Sequence, residues 1–184
     1  MQPIRIGKYA CLEIERKYLL REIPEDLTIN GEGWRISDRY ITGTRLRLRR
    51  MEPMNRESMV YKLGQKFRSG SQGPGETTMT NFYLEASEYD RLAQLDGANL
   101  RKSRYSFTHG GLTFGIDVFE DELEGLILAE IECESLEHYE NLEPPFPDWE
   151  DVTADPFFSG GSLVNLTREA LEAALRARIG SGSC

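Results

Sequence analysis

Residues 12–20 read LEIERKYLL. A period of two puts Glu13, Glu15 and Lys17 on one face of a strand and sends Leu12, Ile14 and Tyr18 to the other. Arg16 interrupts the alternation and reads as an exterior charge. Taken alone, the stretch describes a half-buried antiparallel strand with a hydrated outer face. Its meaning turns on whether the rest of the chain repeats it.

The pattern does recur. In RLRLRR, residues 45–50, Arg45, Arg47 and Arg49 stand opposite Leu46 and Leu48. Lys62 follows Tyr61, KSR aligns Lys102 with Arg104, AEIE aligns Glu130 with Glu132, and Asp117 lies among apolar neighbours in IDVF. If all these faces met water, like charges would sit side by side with no structural return. A sheet curled into a closed barrel gathers them in its lumen, with the apolar faces covered from outside. Such a lumen needs a charged guest. Lys17, Arg45, Arg47, Arg49, Lys62, Lys102 and Arg104 suit a compact polyanion, because arginine presents forked donors that match phosphate oxygens. Glu13, Glu15, Asp117, Glu130 and Glu132 would repel that guest unless divalent cations stood between, and hard oxygen ligands point to magnesium or manganese ahead of calcium, which usually needs more ligating oxygens.

The chain has 184 residues, enough for one domain with a real core, 1–184, and no internal repeat is visible. No apolar run approaches a membrane span, and Arg5, Lys8, Glu13 and Glu15 break the first twenty positions, so neither a signal peptide nor a membrane partner is expected and the location predicted is cytoplasmic. A net charge of −9 argues against nucleic acid as a partner. Cys11, Cys133 and Cys184 are scattered and odd in number, which predicts reduced thiols. A homodimer is left open.

Turn signals divide the chain into short strands. Residues 34–51 read as two strands hinged near Gly43, residues 58–67 as another, and residues 68–75, RSGSQGPG, as a loop. TTMTNFYL, residues 77–84, is strand-like. A helix is predicted from Ser87, with Tyr89, Leu92 and Leu95 on one side and Gly97 as its end. Residues 100–121 read as a hairpin turning at Gly110 and Gly111, and residues 125–135 as one more strand. Pro- and Gly-punctuated chain then leads to an amphipathic helix at about 165–179 carrying Leu171, Ala174, Leu175 and Ile179, expected against the barrel wall. The class is mainly β with minor helices.

EIERK (Glu13, Glu15, Lys17) resembles the Glu-x-Glu-x-Lys signature of the CYTH superfamily, the triphosphate tunnel metalloenzymes. KSRY, GIDVFEDELEGLILAEIE and WEDVT follow in the family's order, so the resemblance runs from about residue 12 to residue 152. It implies a closed antiparallel tunnel of eight strands with a charged lumen and a few peripheral helices. It implies metal-dependent hydrolysis of a small triphosphate, most simply inorganic tripolyphosphate, with two Mg2+ or Mn2+ ions. Glu13, Glu15, Asp117, Glu130 and Glu132 would hold metal. Glu13, Glu15, Lys17, Glu130 and Glu132 would carry catalysis, with Glu130 or Glu132 accepting a proton from the attacking water. Lys17, Arg45, Arg47, Arg49, Lys62, Lys102 and Arg104 would hold substrate. Two segments depart from the family. TTMTNFYL lacks the Arg and alternating Glu that many relatives carry there, and FFSGGS, residues 157–162, replaces an Asn-containing segment. Thiamine triphosphatase and adenylyl cyclase are the alternatives within the family. A non-catalytic polyphosphate- or nucleotide-binding module, which could dispense with the carboxylates, and a lipocalin-like carrier, which the ionised faces oppose, are those outside it.

Overall fold

Gly43, with φ at 72°, turns β2 (Trp34–Ile41) back on β3 (Leu46–Pro53), and Gly110 and Gly111, at 58° and 81°, turn β6 (Gly97–His109) back on β7 (Leu112–Phe119). A two-residue hairpin loop of this hand needs positive φ at both positions, which glycine supplies at least cost. The computed structural model describes residues 9–27, 33–55, 57–68 and 72–181, with side chains as far as residue 178. The other strands are β1 (Cys11–Leu20), β4 (Val60–Phe67), β5 (Glu76–Leu84), β8 (Ile127–Glu132) and the short β9 (Glu150–Asp151).

Neighbouring strands run in the order β5-β4-β3-β2-β6-β7-β8-β1, and a β5–β1 pairing closes the ring into an eight-stranded antiparallel barrel. Every pairing is antiparallel. β1 joins β8 through residues 15–20, but β5 only through residues 11–14. Past that point its second edge is finished by distant chain. The Glu15 N–H donates to Gly75 O, the Lys17 N–H donates to Thr153 Oγ1 at 2.9 Å, the Val152 N–H donates to Lys17 O, and β9 pairs with Tyr18 and Leu19.

Among the described residues four helices decorate the barrel: α1 (Ala86–Leu92), α2 (Leu136–Asn141), α3 (Gly160–Leu163) and α4 (Arg168–Ser181). The first differs from the sequence reading. Glu85, not Ser87, precedes α1, and its N–H donates to the Glu88 carboxylate. Gly97 does not end the helix but opens β6, opposite Ile41, where a Cβ would collide with Tyr40 O. The loop at 68–75 is described except for residues 69–71. Cys11 is exposed, Cys133 is buried and neither is bonded; Cys184 lies outside the described residues. Among the described residues no helix is long and apolar enough to cross a membrane.

Two apolar clusters hold this together. Ile14, Tyr18, Phe107, Phe114, Ile116, Ala129 and Ile131 cover the outer wall of β1, β6, β7 and β8, and pack under Leu142 and Trp149. The Trp149 and Phe114 rings meet edge to face at 5.3 Å. The second cluster lies within. Leu19, Leu100, Phe119 and Leu128 sit on the same strand faces as the charges and join Val152, Phe158, Leu163 and Leu171 to fill one end of the barrel. The expected charged lumen therefore occupies only part of the interior. The stripe on α4 covers that end through Leu171 and Leu175. Each such buried side chain contributes about 1.5–3 kcal/mol relative to exposure.

Candidate active site

Cross-strand register decides which side chains share the lumen, because residues paired across a ladder point the same way. On β1 these are Glu13, Glu15 and Lys17; Lys17 lies opposite Glu130, and Glu15 opposite Glu132. Arg104 is opposite Asp117, Lys102 opposite Phe119, and Gly115 opposite Glu130. Arg49 stands between Asp38 and Lys62, and Arg47 between Tyr40 and Gly64.

The charges pair inside the wall. The Lys17 ammonium lies 3.0 Å from Glu130 and 4.0 Å from Glu15. Arg104 donates to both Asp117 oxygens at 2.6 Å and also to Glu130, lying over Gly115, which offers no side chain to obstruct it. Lys102 donates to Asp117, which is wholly buried. Arg49 grips Asp38 with two hydrogen bonds at 2.6 and 2.7 Å, and Arg47 approaches the same carboxylate at 3.8 Å. Lys66 bridges Glu13 at 2.6 Å and Glu15 at 2.8 Å.

Burial and charge compete over the ionisation of these groups. Desolvation works against the Glu130 anion, but Lys17, Arg104 and Lys102 outweigh it and hold its carboxyl well below the usual range. Asp38 is likewise lowered, burial being overcome by Arg49 and Arg47. Lys17 is raised, because Glu130 and Glu15 outweigh its desolvation. Lys102 goes the other way: burial lowers it, and Arg104 adds to that against the pull of Asp117.

The structure thus brings together Glu13, Glu15, Lys17, Arg47, Arg49, Lys102, Arg104, Asp117 and Glu130. Lys62 faces the same interior, its ammonium 5.0 Å from the Tyr83 ring centre. Glu132 is exposed and makes no ion pair with the described residues. Arg45 stands apart, exposed ahead of β3 with its guanidinium 5.1 Å from the Phe67 ring. Arg16 faces outward between Leu142 O and the Tyr139 ring. His109 packs beside the Phe146 ring at the hairpin end, away from these groups.

Asp38 and Lys66 escaped the sequence reading. Their signal was the same alternation, Ile36-Asp38-Tyr40 and Lys62-Gly64-Lys66, which went unread because each strand carried one charge of an unexpected kind or at its end. The two departing segments also find their places. β5 turns Thr77, Met79 and Asn81 inward, with Tyr83 exposed at its end, so that wall holds no carboxylate. FFSGGS lies at the apolar end, where Ser162 donates to Pro156 O and a Cβ on Gly160 would overlap the Tyr40 hydroxyl.

Among the described residues no three carboxylates converge on one point. Glu13 and Glu15 do converge as a pair, around the Lys66 ammonium. Glu13 Oε2 is buried and, although close to that ammonium, makes no hydrogen bond. Two hard carboxylates already gathered about one cation fit a magnesium-like ion, which needs only one or two such ligands beside water and phosphate.

No family model matches the chain. An inorganic triphosphatase of Acetivibrio thermocellus is 40% identical over 67 residues, which span 35% of this chain and 40% of that relative's length. The solved structure of the hypothetical protein NE1496 superimposes with a TM-score of 0.56 at 25% identity, covering 84% of this chain and 99% of the other. The structure of the inorganic triphosphatase NE1496 gives a TM-score of 0.54 at 24% identity over 86% and 94% of the two chains.

Proposed function

We propose that this chain, whose fold is that of the CYTH triphosphate tunnel proteins, hydrolyses a small triphosphate in the charged half of its barrel. One observation carries the reading: among the described residues seven inward cations, Lys17, Arg47, Arg49, Lys62, Lys66, Lys102 and Arg104, face inward carboxylates across a space closed at one end by hydrocarbon. A carrier for apolar cargo has no use for such a lining. A likeness to an inorganic triphosphatase over a third of the chain supports the same reaction and favours tripolyphosphate.

The chain's own residues would divide the work as follows. Arg47, Arg49 and Arg104 give up part of their carboxylate contacts for phosphate oxygens, with the planar fork suited to both. Lys17, Lys62 and Lys102 add point charge, which is what a loose phosphoryl-transfer transition state requires. Asp117 and Asp38 orient the arginines they hold. Glu130, kept strongly acidic by Lys17 and Arg104, is a poor proton acceptor and acts as a fixed charge that aims both cations. Glu132, not ion-paired and beside Glu15, is the better placed to take a proton from water. Glu13 and Glu15 would hold Mg2+ or Mn2+, which supplies Lewis acidity toward phosphate and water.

A single feature favours an organic triphosphate as a second reading. A cavity of about 610 Å3 is lined by Arg104 and Trp34 and, from the outer-wall side, by Tyr105 and Phe107, and it could take a ring attached to a phosphate chain held by Arg104. The test is a phosphate-release panel of tripolyphosphate, thiamine triphosphate, ATP and pyrophosphate, each with magnesium, manganese or calcium. Tripolyphosphate with magnesium or manganese is expected to be turned over fastest. Glu13→Gln should cut kcat at least about 100-fold, the scale of losing a charge-stabilising group, while melting normally. Arg47→Ala should raise KM and lower kcat together. Full activity in both variants would overturn the assignment.

A further inference from the structure

Most lumen cations rest on a carboxylate outside the Glu13–Glu15 pair. Arg49 has Asp38, Arg104 and Lys102 have Asp117, and Lys17 has Glu130. Lys66 differs. It occupies the very point between Glu13 and Glu15 where a divalent cation would be held, and its side chain is 33% exposed, more than either partner. Two carboxylates two residues apart on one strand face repel each other, so without an ion something positive must sit between them. Lys66 is that charge. We propose that Lys66 is an internal stand-in for the metal, which must leave the Glu13–Glu15 pair before an ion can enter, so that the ion is taken up with the triphosphate and not ahead of it. This rests on the function proposed above.

A place for the displaced ammonium is already built. On the inner face of β4, Gly64 lies between Lys62 and Lys66 and adds no side chain. Opposite it on β5 is Asn81, whose Oδ1 is buried and has no hydrogen-bond partner. Asn81 is the diagonal cross-strand neighbour of Lys66, a separation that a lysine side chain spans. A Cβ on Gly64 would collide with this oxygen, so the space between the two lysines is kept for Asn81 Oδ1. A buried acceptor left without a donor is unfavourable. That cost is removed when Lys66 swings from the carboxylates to Asn81, against the repulsion of nearby Lys62 on the same strand face. The triphosphate makes the swing favourable by supplying the negative charge that Lys66 loses. In the absence of triphosphate, Lys66 competes with the ion for the same two carboxylates.

Direct Mn2+ binding tests this without turnover. Mn2+ alone is titrated into the wild-type protein, Lys66→Met, Lys66→Arg and the double variant Lys66→Met/Glu13→Gln, and the unbound ion is read by its electron paramagnetic resonance signal. Lys66→Met should bind Mn2+ at least about tenfold more tightly than wild type, the scale of removing one unit charge beside a partly exposed pair. Lys66→Arg should stay near wild type, and Glu13→Gln should cancel the gain. Circular dichroism confirms that each variant is folded, and Lys66→Gln replaces Lys66→Met if the latter is not. Equal Mn2+ affinity in Lys66→Met and wild type, with Glu13→Gln weakening both, would overturn the stand-in while leaving the metal pair intact. No Mn2+ bound by any variant, with or without tripolyphosphate, would overturn the metal reading itself.

Discussion

The two halves of the barrel interior are built by the same strands and differ in nearly everything else. Along the inward face, β1 changes from Lys17 to Leu19, β6 from Lys102 to Leu100, β7 from Asp117 to Phe119 and β8 from Glu130 to Leu128. Each strand crosses from ion to hydrocarbon in one step of two residues. The apolar half is hydrocarbon that closes the end, while the charged half is held by ion pairs. On these four strands ion pairs and hydrocarbon are thus stacked along one axis, whereas on β2 apolar Ile36 stands opposite Lys102 and Asp38 opposite Leu100.

The boundary between ion pairs and hydrocarbon can be broken most severely from the apolar side. Leu128→Asp puts an unpaired carboxylate where Leu128 is 1% exposed, and it should cost at least about 4 kcal/mol, the scale of an uncompensated buried charge. The check is loss of the cooperative urea transition. A matching change in the charged half should be smaller and repairable. Arg49→Met strands Asp38 and should cost about 3 kcal/mol, whereas Arg49→Met with Asp38→Asn should recover most of it. Chemical denaturation of both variants decides this, and a double variant as unstable as the single would refute the pairing.

The gentlest probe is acid. Asp38 is flanked by Arg49, Arg47 and Lys102, and its folded carboxyl is held below the ordinary range against its own burial. Its contribution to stability is therefore complete above the unfolded value, about pH 4, and is lost as the pH falls through the lower folded value. Asp38→Asn should flatten that part of the decline in melting temperature between about pH 5 and pH 3. An unchanged slope would mean that Asp38 does not titrate with unfolding.

The contrast between the halves also explains what could be read in advance. Glu13, Glu15, Lys17, Lys102, Arg104 and Glu130 were legible because charge at a period of two has few other causes, and Asp117 because a lone carboxylate stands among apolar neighbours. Which residues of RLRLRR belong inside was not, since three arginines share the phase. Only the strand start at Leu46 separates exposed Arg45 from inward Arg47 and Arg49. The apolar half was invisible for the opposite reason: Leu19, Leu100 and Leu128 look the same whether they face a core outside the barrel or one within it. The pairing of Lys66 with Glu13 and Glu15 depends on the β1–β5 closure, which no local pattern encodes.

Among the described strands β1 comes first in chain order, yet it is one of the last to be finished. β1 receives its remaining edge contacts from residues around Thr153, 136 positions later, so during synthesis it waits with unpaired amides and carbonyls. An exposed strand edge invites pairing with other chains, and ionic side chains are the usual deterrent. The Glu-Glu-Lys face that lines the finished lumen thereby guards the nascent protein before any lumen exists.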